Sequence, residues 1–230
     1  MIATSDLSPR ALFDLDVLEF ADLFDGLEFA WEALRRLPDW MKAHVRSEIR
    51  GEVAPGAFVA PEGVFVAEGA VVEPTAYVVG PTILGPGTVV RHGAYVRGNV
   101  LCGRKCIIGH TTEAKGAIFL DGAKAPHFAY VGDSILGRNV NLGAGTKLSN
   151  LKMLGKTVTL RLGDRVIDTG LRKFGAVIGD GSETGCNSVL SPGVVLGKGC
   201  LVYPCMHARG YHPAGSILKL RQGEESVQRS

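Results

Sequence analysis

Val66-Ala-Glu-Gly-Ala-Val, Val72-Glu-Pro-Thr-Ala-Tyr, Val78-Val-Gly-Pro-Thr-Ile, Leu84-Gly-Pro-Gly-Thr-Val and Val90-Arg-His-Gly-Ala-Tyr follow one another without a gap, and each six-residue block opens on an aliphatic side chain. The frame continues through Val96, Cys102 and Ile108. Four residues after each opener stand Ala70, Ala76, Thr82, Thr88, Ala94, Val100, Cys106 and Thr112, all small or β-branched. A second run with the same period opens at Ile178 and passes through Thr184, Leu190, Leu196 and Val202, with Ser182, Ser188, Val194, Cys200 and Met206 as companions. A period of six is neither the 3.6 of a helix nor the simple alternation of a hairpin sheet. It describes a short strand and a turn, repeated around a closed cross-section. Three sides make a coil of about 18 residues, and stacked coils pair in parallel at ~4.8 Å while the inward residues form a continuous column. A β-sandwich with regular turns would not keep one frame over so many units.

Outward from that stretch the pattern changes twice. Residues 1–50 form an N-terminal region predicted to be helical, with Ser8-Pro9 as cap and first-turn signal and Leu18, Phe24, Leu27, Trp31 and Leu34 interleaved with acids. Pro38-Asp39 is expected to interrupt it, with a further short helix from Trp40 to Ile49. The β-helix is predicted to occupy residues 51–230. Ile108 to Leu136 is 28 positions, four more than a multiple of six. This phase break predicts an irregular insertion over Glu113–Asp133, which carries Lys115, Lys124, His127 and Tyr130. A second excursion, about residues 154–172, contains Thr157-Val-Thr-Leu-Arg-Leu, Gly163-Asp164 and Arg165-Val-Ile-Asp and is predicted to be a protruding β-hairpin.

Composition restricts the function classes. Lys and Arg total 25 against 23 for Asp and Glu, so no global field draws the chain to nucleic acid or to an anionic membrane. No basic, apolar leader opens the sequence and no apolar run reaches ~18 residues, so neither export nor membrane insertion is expected. The five cysteines form no CxxC pair and mostly fall at inward positions, which predicts reduced thiols in a cytoplasmic protein. Gly at 31 of 230 residues suits a chain that turns often.

In an 18-residue coil, Arg97 and Lys115 fall on the same side of adjacent coils. They either share an anion such as a phosphate or splay into water as a solvated pair. His92 and His110 bear the same relation and read as a polar rung on an outer face.

The segment Lys124-Ala-Pro-His-Phe-Ala-Tyr-Val-Gly-Asp-Ser-Ile-Leu-Gly-Arg-Asn-Val-Asn-Leu-Gly-Ala-Gly-Thr146 resembles the acetyltransferase half of the bifunctional N-acetylglucosamine-1-phosphate uridyltransferase and glucosamine-1-phosphate acetyltransferase family. The likeness extends less tightly from about Val90 to Gly199. The hairpin leading to Arg172-Lys-Phe-Gly-Ala-Val-Ile-Gly-Asp180 is similar to archaeal-type variants. The resemblance implies an all-β, left-handed parallel β-helix of hexapeptide repeats, assembled as a homotrimer and using acetyl-CoA as co-substrate, with no metal required. It implies His127 as catalytic base, and Arg97, Lys115, Tyr130, Asn141, Asn150 and Lys173 as ligands of an amino-sugar phosphate. It places acetyl-CoA against Ala144, against Cys186 where serine is more usual, and against Arg221. Glu113 or Asp133 is expected to orient His127. No Leu-x-Ala-Gly-x-Gly-Thr-Arg motif occurs, so nucleotidyl transfer is not expected of this sequence.

Two other classes share the fold. A hexapeptide carbonic-anhydrase-like enzyme would hold a metal with a His-x-x-x-x-His pair, a spacing that His207 and His212 have, but the expected third position is Leu171. A non-catalytic trimeric scaffold is the remaining reading, and it has no use for Arg97, Lys115, His127, Tyr130 and Asn141 together.

Overall fold

The structure is a computed structural model describing residues 3–221 and 226–228. The six-residue period becomes a parallel β-helix with three faces. Face A has nine strands, from Glu48–Ile49 to Tyr211–His212. Face B also has nine, from Glu52–Val53 to Ile217–Leu218, and face C has eight, from Phe58–Val59 to His207–Ala208. Each strand is two to four residues long, because the corners consume the rest of the unit. The openers of each block point inward: Val66, Val72, Val78, Leu84, Val90, Val96 and Ile108 are fully buried, with Cys102 1% exposed. Inward hydroxyls are satisfied by the backbone of the next coil, Thr88 donating to the Gly103 carbonyl at 2.9 Å and Thr112 to that of Ala125 at 3.0 Å.

Nothing is inserted at the phase break, and the prediction of an irregular loop over Glu113–Asp133 is overturned. That stretch forms the regular strands Glu113–Lys115, Ala117–Phe119, Lys124–His127 and Tyr130–Gly132. The coils simply shorten. Tyr77 pairs with Tyr95, 18 positions on, whereas Val100 pairs with Ala117, Glu113 with Tyr130 and Tyr130 with Lys147, each 17 on. The missing residue is at the corner between faces C and A. An earlier coil turns there on Gly98 and Asn99, the later ones on Gly116 alone and on Asp133 alone, each with positive φ.

The N-terminal region covers face A. The outward residues Phe65, Ile83, Leu101, Ile118, Ile135, Val177 and Val195 are in register down this face. From Leu101 onward they are at most 1% exposed. They share a core with Leu7, Leu12, Phe13, Leu23, Trp31, Leu37 and Met41. Burying each such side chain contributes about 1.5–3 kcal/mol. Ser8 caps Pro9–Leu12 as predicted, accepting from the Ala11 N–H at 3.3 Å. Pro38 does not end the next helix. One helix runs Glu32–His44, and the stretch predicted as a separate helix from Trp40 instead completes this one and then enters the first strand of face A. The stripe Ala33, Leu37 and Met41 is buried against the β-helix, and this packing outweighs the single hydrogen bond proline removes.

The hairpin Thr159–Leu162 with Arg165–Asp168 turns at Gly163 and Asp164 as read from sequence. It lies against the molecule rather than standing free: Val158, Leu160 and Leu162 alternate inward onto the same core as Trp31 and Phe174. Asp180 ties the layers, accepting from the backbone N–H groups of Asp14 and Arg138 at 2.7 Å each. Burial pushes its carboxyl above the ordinary value, and these two hydrogen bonds oppose the rise. Among the described residues no helix is long and apolar enough to cross a membrane.

Candidate active site

With face A covered, the chemistry-bearing residues lie on face C and on the edge where B turns into C. On face C the predicted pair stacks as expected, Arg97 directly beneath Lys115 in the register that aligns Tyr95 with Glu113. The two cations do not stand free. Arg97 donates to Glu113 Oε1 at 2.6 Å, and Lys115 Nζ reaches both Asp133 oxygens at 3.0 Å. The hydrogen bond to Glu113 and its charge hold the Arg97 guanidinium more firmly protonated than usual. Glu113 and Asp133 thus neutralise the cation ladder, and the expectation that one of them orients His127 fails because both are engaged elsewhere.

Tyr130 and Asn150 complete this cluster. The Asn150 amide donates to the Tyr130 hydroxyl at 3.2 Å and also to Asp133. Gly132 makes room for them: it pairs with Lys115, and a Cβ there would meet the Tyr130 hydroxyl at 2.6 Å and the Asn150 amide at 2.7 Å. Lys173 is exposed and adjoins the cluster through the antiparallel bridge between its backbone and Leu151. The next residue, Phe174, donates its N–H to the Asn150 carbonyl at 2.9 Å.

His127 ends the strand Lys124–His127 at the B–C edge, exposed to solvent. Its carbonyl accepts from Gly145 at 2.9 Å, and Asn187 donates to the Ala144 carbonyl at 2.8 Å. Cys205 then donates to the Cys186 carbonyl at 2.9 Å. His127, Ala144 and Cys186 therefore occupy one edge in successive coils. Arg221, also exposed, lies beyond the last face B strand, Ile217–Leu218. Asn141 stands apart from the cation ladder: it lies on face B, between Lys124 and Glu183.

Two features escaped the sequence reading. His110 is the register partner of His127, and its ring stacks on that of His92 with centroids 4.9 Å apart. The outer polar rung formed by His92 and His110 thus leads directly to the candidate base, a relation that a 17-residue spacing reveals and an 18-residue one hides. Phe128, 54% exposed with φ of 51°, packs edge-on to His110 at 5.2 Å and gives this edge an apolar lip. His207 and His212 lie on faces C and A, bonded to the Ser191 hydroxyl at 2.7 Å and the Arg209 carbonyl at 3.0 Å respectively. Among the described residues no three His, Cys, Asp or Glu side chains group closely enough to hold a metal ion.

Comparison with known proteins bears on this region. A family model described as the GMPPB C-terminal domain matches residues 78–169, which include Arg97, Lys115 and the B–C edge from His92 to Ala144. The bifunctional sugar-1-phosphate nucleotidylyltransferase/acetyltransferase of Sulfurisphaera tokodaii is 40% identical over 94 residues, 41% of this chain and 23% of that protein. The bifunctional protein GlmU of Methanococcus vannielii is 42% identical over 98 residues, 40% of this chain and 23% of that protein. The chain thus matches less than a quarter of the length of either relative. Among solved structures, the UDP-N-acetylglucosamine acyltransferase from Campylobacter jejuni shares 15% identity at a TM-score of 0.43, covering 70% of this chain and 69% of that one. The acetyltransferase domain of PglB from Neisseria gonorrhoeae shares 16% identity at a TM-score of 0.37, covering 85% and 71%. These two likenesses are too low to bear on the site. Over two fifths of its length, the chain is similar in sequence to the C-terminal part of the bifunctional sugar-1-phosphate nucleotidylyltransferase/acetyltransferases.

Proposed function

We propose that this chain is an acetyl-CoA-dependent N-acetyltransferase acting on an amino-sugar phosphate such as glucosamine 1-phosphate. The observation that carries the proposal is the arrangement of two groups of side chains. Lys115 and Arg97, each paired with a carboxylate, stack with Tyr130 and Asn150 in a polar ladder on face C, and His127, Ala144 and Cys186 follow one another along the adjoining edge. The sequence similarity to proteins named as acetyltransferases supports the same reading.

An amine attacks a thioester only when neutral, and histidine accepts a proton near physiological pH without a large environmental shift. His127 takes the proton of the attacking amine as the N–C bond forms. The C–S bond of the tetrahedral intermediate then breaks, and the proton passes to the departing CoA thiolate. No acyl-enzyme is involved. The sugar phosphate docks on Lys115 and Arg97, exchanging part of their pairing with Asp133 and Glu113 for phosphate oxygens, while Tyr130 and Asn150 position the ring. The backbone N–H of Ala144, in the turn of the next coil, stabilises the oxyanion, and the cofactor runs along the edge past Cys186 toward Arg221. Asn141 lies on face B, so in this reading it reaches a ligand on face C of a second copy, and the site is shared between the chains of a homotrimer.

The test is mass-spectrometric detection of acetylated product from acetyl-CoA and a panel of amino-sugar 1-phosphates. Glucosamine or galactosamine 1-phosphate should be converted, with His127→Ala lowering kcat by about 10²–10⁴-fold at unchanged CoA affinity. Undiminished turnover in the variant would remove His127 as base. Failure to convert any panel member would overturn the acceptor class. Light scattering at the mass of a monomer would remove the shared site.

A further inference from the structure

Faces B and C have no cover of the kind that the N-terminal region gives face A, yet both carry apolar columns on their outer side. On face C, Phe58, Tyr77 and Tyr95 follow one another in register and are 42–45% exposed. Phe58 stacks on Tyr77 with centroids 4.2 Å apart, and Tyr77 meets Tyr95 edge-on at 5.7 Å. On face B the in-register column is Val71, Val89 and Ile107, each half-buried. Contiguous apolar columns on a flat sheet face mark a protein contact.

Beyond these trios both columns change character, and in the same order. Face B continues with Lys124, Asn141 and Glu183, and face C with Glu113, Tyr130 and Lys147. Each then returns to an aliphatic, Leu201 on face B and Val189 on face C. The charges have opposite signs on the two faces, and they are open to a partner. Lys124 and Glu183 have no ion-pair partner among the described residues. Lys147 Nζ donates to the Gly145 carbonyl at 2.6 Å, and Glu113 gives Arg97 only its Oε1.

The two orders match in one register. With face B of one copy set one coil ahead of face C of the next, Ile107 meets Tyr95, Lys124 meets Glu113, Asn141 meets Tyr130 and Glu183 meets Lys147. Set level, within the same coil, the faces put Ile107 on Glu113 and Glu183 on Val189; set one coil the other way, they put Lys124 on Lys147. A charge desolvated against an aliphatic, or a like-charge pair, opposes both of these registers. We infer that copies of this chain dock face B on face C with an advance of one coil, which brings the partner's Asn141 to Tyr130 and Asn150 and completes the polar ladder. The inference rests on the homotrimer of the proposed function and supplies its faces, its register and the residue exchanged. Such a contact is heterologous, and three of them close a ring.

The register is read by cross-linking in a chain whose exposed Cys186 and Cys205 are replaced by serine. With diamide as oxidant, Tyr77→Cys combined with Val89→Cys should give a covalent trimer on non-reducing gels, and Tyr77→Cys combined with Val71→Cys, the level register, should not. Lys147→Glu should weaken the trimer about tenfold or more in light scattering on dilution, and adding Glu183→Lys should restore it. Chains with Asn141→Ala and chains with Lys115→Ala, each of low turnover alone, should recover about a quarter of wild-type turnover when produced together, the share of sites that combine an intact Asn141 with an intact Lys115 across a contact. A covalent trimer from the level pair instead, no cross-link from either pair, no rescue by the charge exchange, or a monomer in light scattering would each overturn the docking and leave His127 as base untouched. A mixture that stays inactive beside an active wild type would overturn the exchange of Asn141. Cross-linking in the advanced register by a protein that acetylates no amino-sugar phosphate would sink the acetyl-transfer reading and leave the docking standing.

Discussion

The two stacked ion pairs of face C differ in exposure and should differ in strength. In Lys115–Asp133 the side chains are 21% and 18% exposed; in Arg97–Glu113 they are 44% and 35%. At the 3.0 Å separation of the first pair, an effective dielectric of ~20 gives about 5 kcal/mol of attraction, from which desolvating both groups removes more than half. The net coupling should be about 2 kcal/mol. The more exposed pair, with water around both groups, should couple by only about 0.2–1 kcal/mol. A double-mutant cycle with Lys115→Met and Asp133→Asn isolates the first term, because asparagine tolerates the φ of 46° found at Asp133 and keeps an acceptor toward Lys115 and Asn150. The companion cycle uses Arg97→Met and Glu113→Gln. Urea unfolding at fixed protein concentration measures both, at about 0.05 M and 0.5 M salt. Salt should halve the outer coupling and leave most of the inner one. Equal couplings in the two cycles, or an inner coupling below about 0.5 kcal/mol, would refute the argument that burial, rather than distance, sets the strength of this ladder.

Phe119 is fully buried in the inward column between Cys102 and Leu136, so Phe119→Ala should cost about 3–5 kcal/mol in denaturant unfolding; a loss under 1 kcal/mol would mean that the coils collapse onto the vacancy. Pro38→Ala restores an N–H inside the helix Glu32–His44 and should stabilise the fold by about 1 kcal/mol, read as a rise in Tm. Burial lowers the proton affinity of the His212 imidazole below its ordinary value near 6.5, against a smaller opposing effect of its hydrogen bond to Arg209. The unfolded chain therefore binds the proton more readily than the folded one, and His212 costs stability as pH falls below about 6.5 but nothing above it. In His212→Gln that part of the acid-side slope should vanish, and an unchanged slope in urea midpoints between pH 5 and 6.5 would exclude it.

The repeat was legible because inward positions tolerate only small or aliphatic side chains, which print a period of six on the sequence at Val66, Val72 and Val78. The shortened corners at Gly116 and Asp133 were not, since dropping one residue leaves every inward side chain chemically acceptable and alters only the phase. An insertion and a deletion then look alike. The same shift hid the alignment of His110 with His127. The stacking of Arg97 on Lys115 could be counted directly, because that coil keeps its full length, but their carboxylate partners could not. Arg97 and Glu113 are 16 apart and Lys115 and Asp133 are 18 apart, so each pair reaches from one coil to the next through side-chain direction that spacing does not encode. The helical cover left a readable trace in the outward aliphatics Ile83, Leu101, Ile118 and Ile135, which an uncovered face would not carry. Pro38 misled because the local cost of proline is smaller than the packing of Leu37 and Met41 on either side of it.

That cover also changes how the molecule comes apart. In a bare solenoid each coil holds only its neighbours, so melting proceeds from the free ends inward in small steps. Here one apolar layer, shared by the N-terminal helices, the hairpin and the outward side chains from Leu101 to Val195, splints the middle coils along their length. Those coils must open together or not at all, while the last turns on faces B and C, beyond the splint, remain free to fray. Amide hydrogen exchange should therefore show one slow block around His127 and Ala144 followed by a gradient toward Leu218, which would put the proposed catalytic edge in the most cooperative part of the chain.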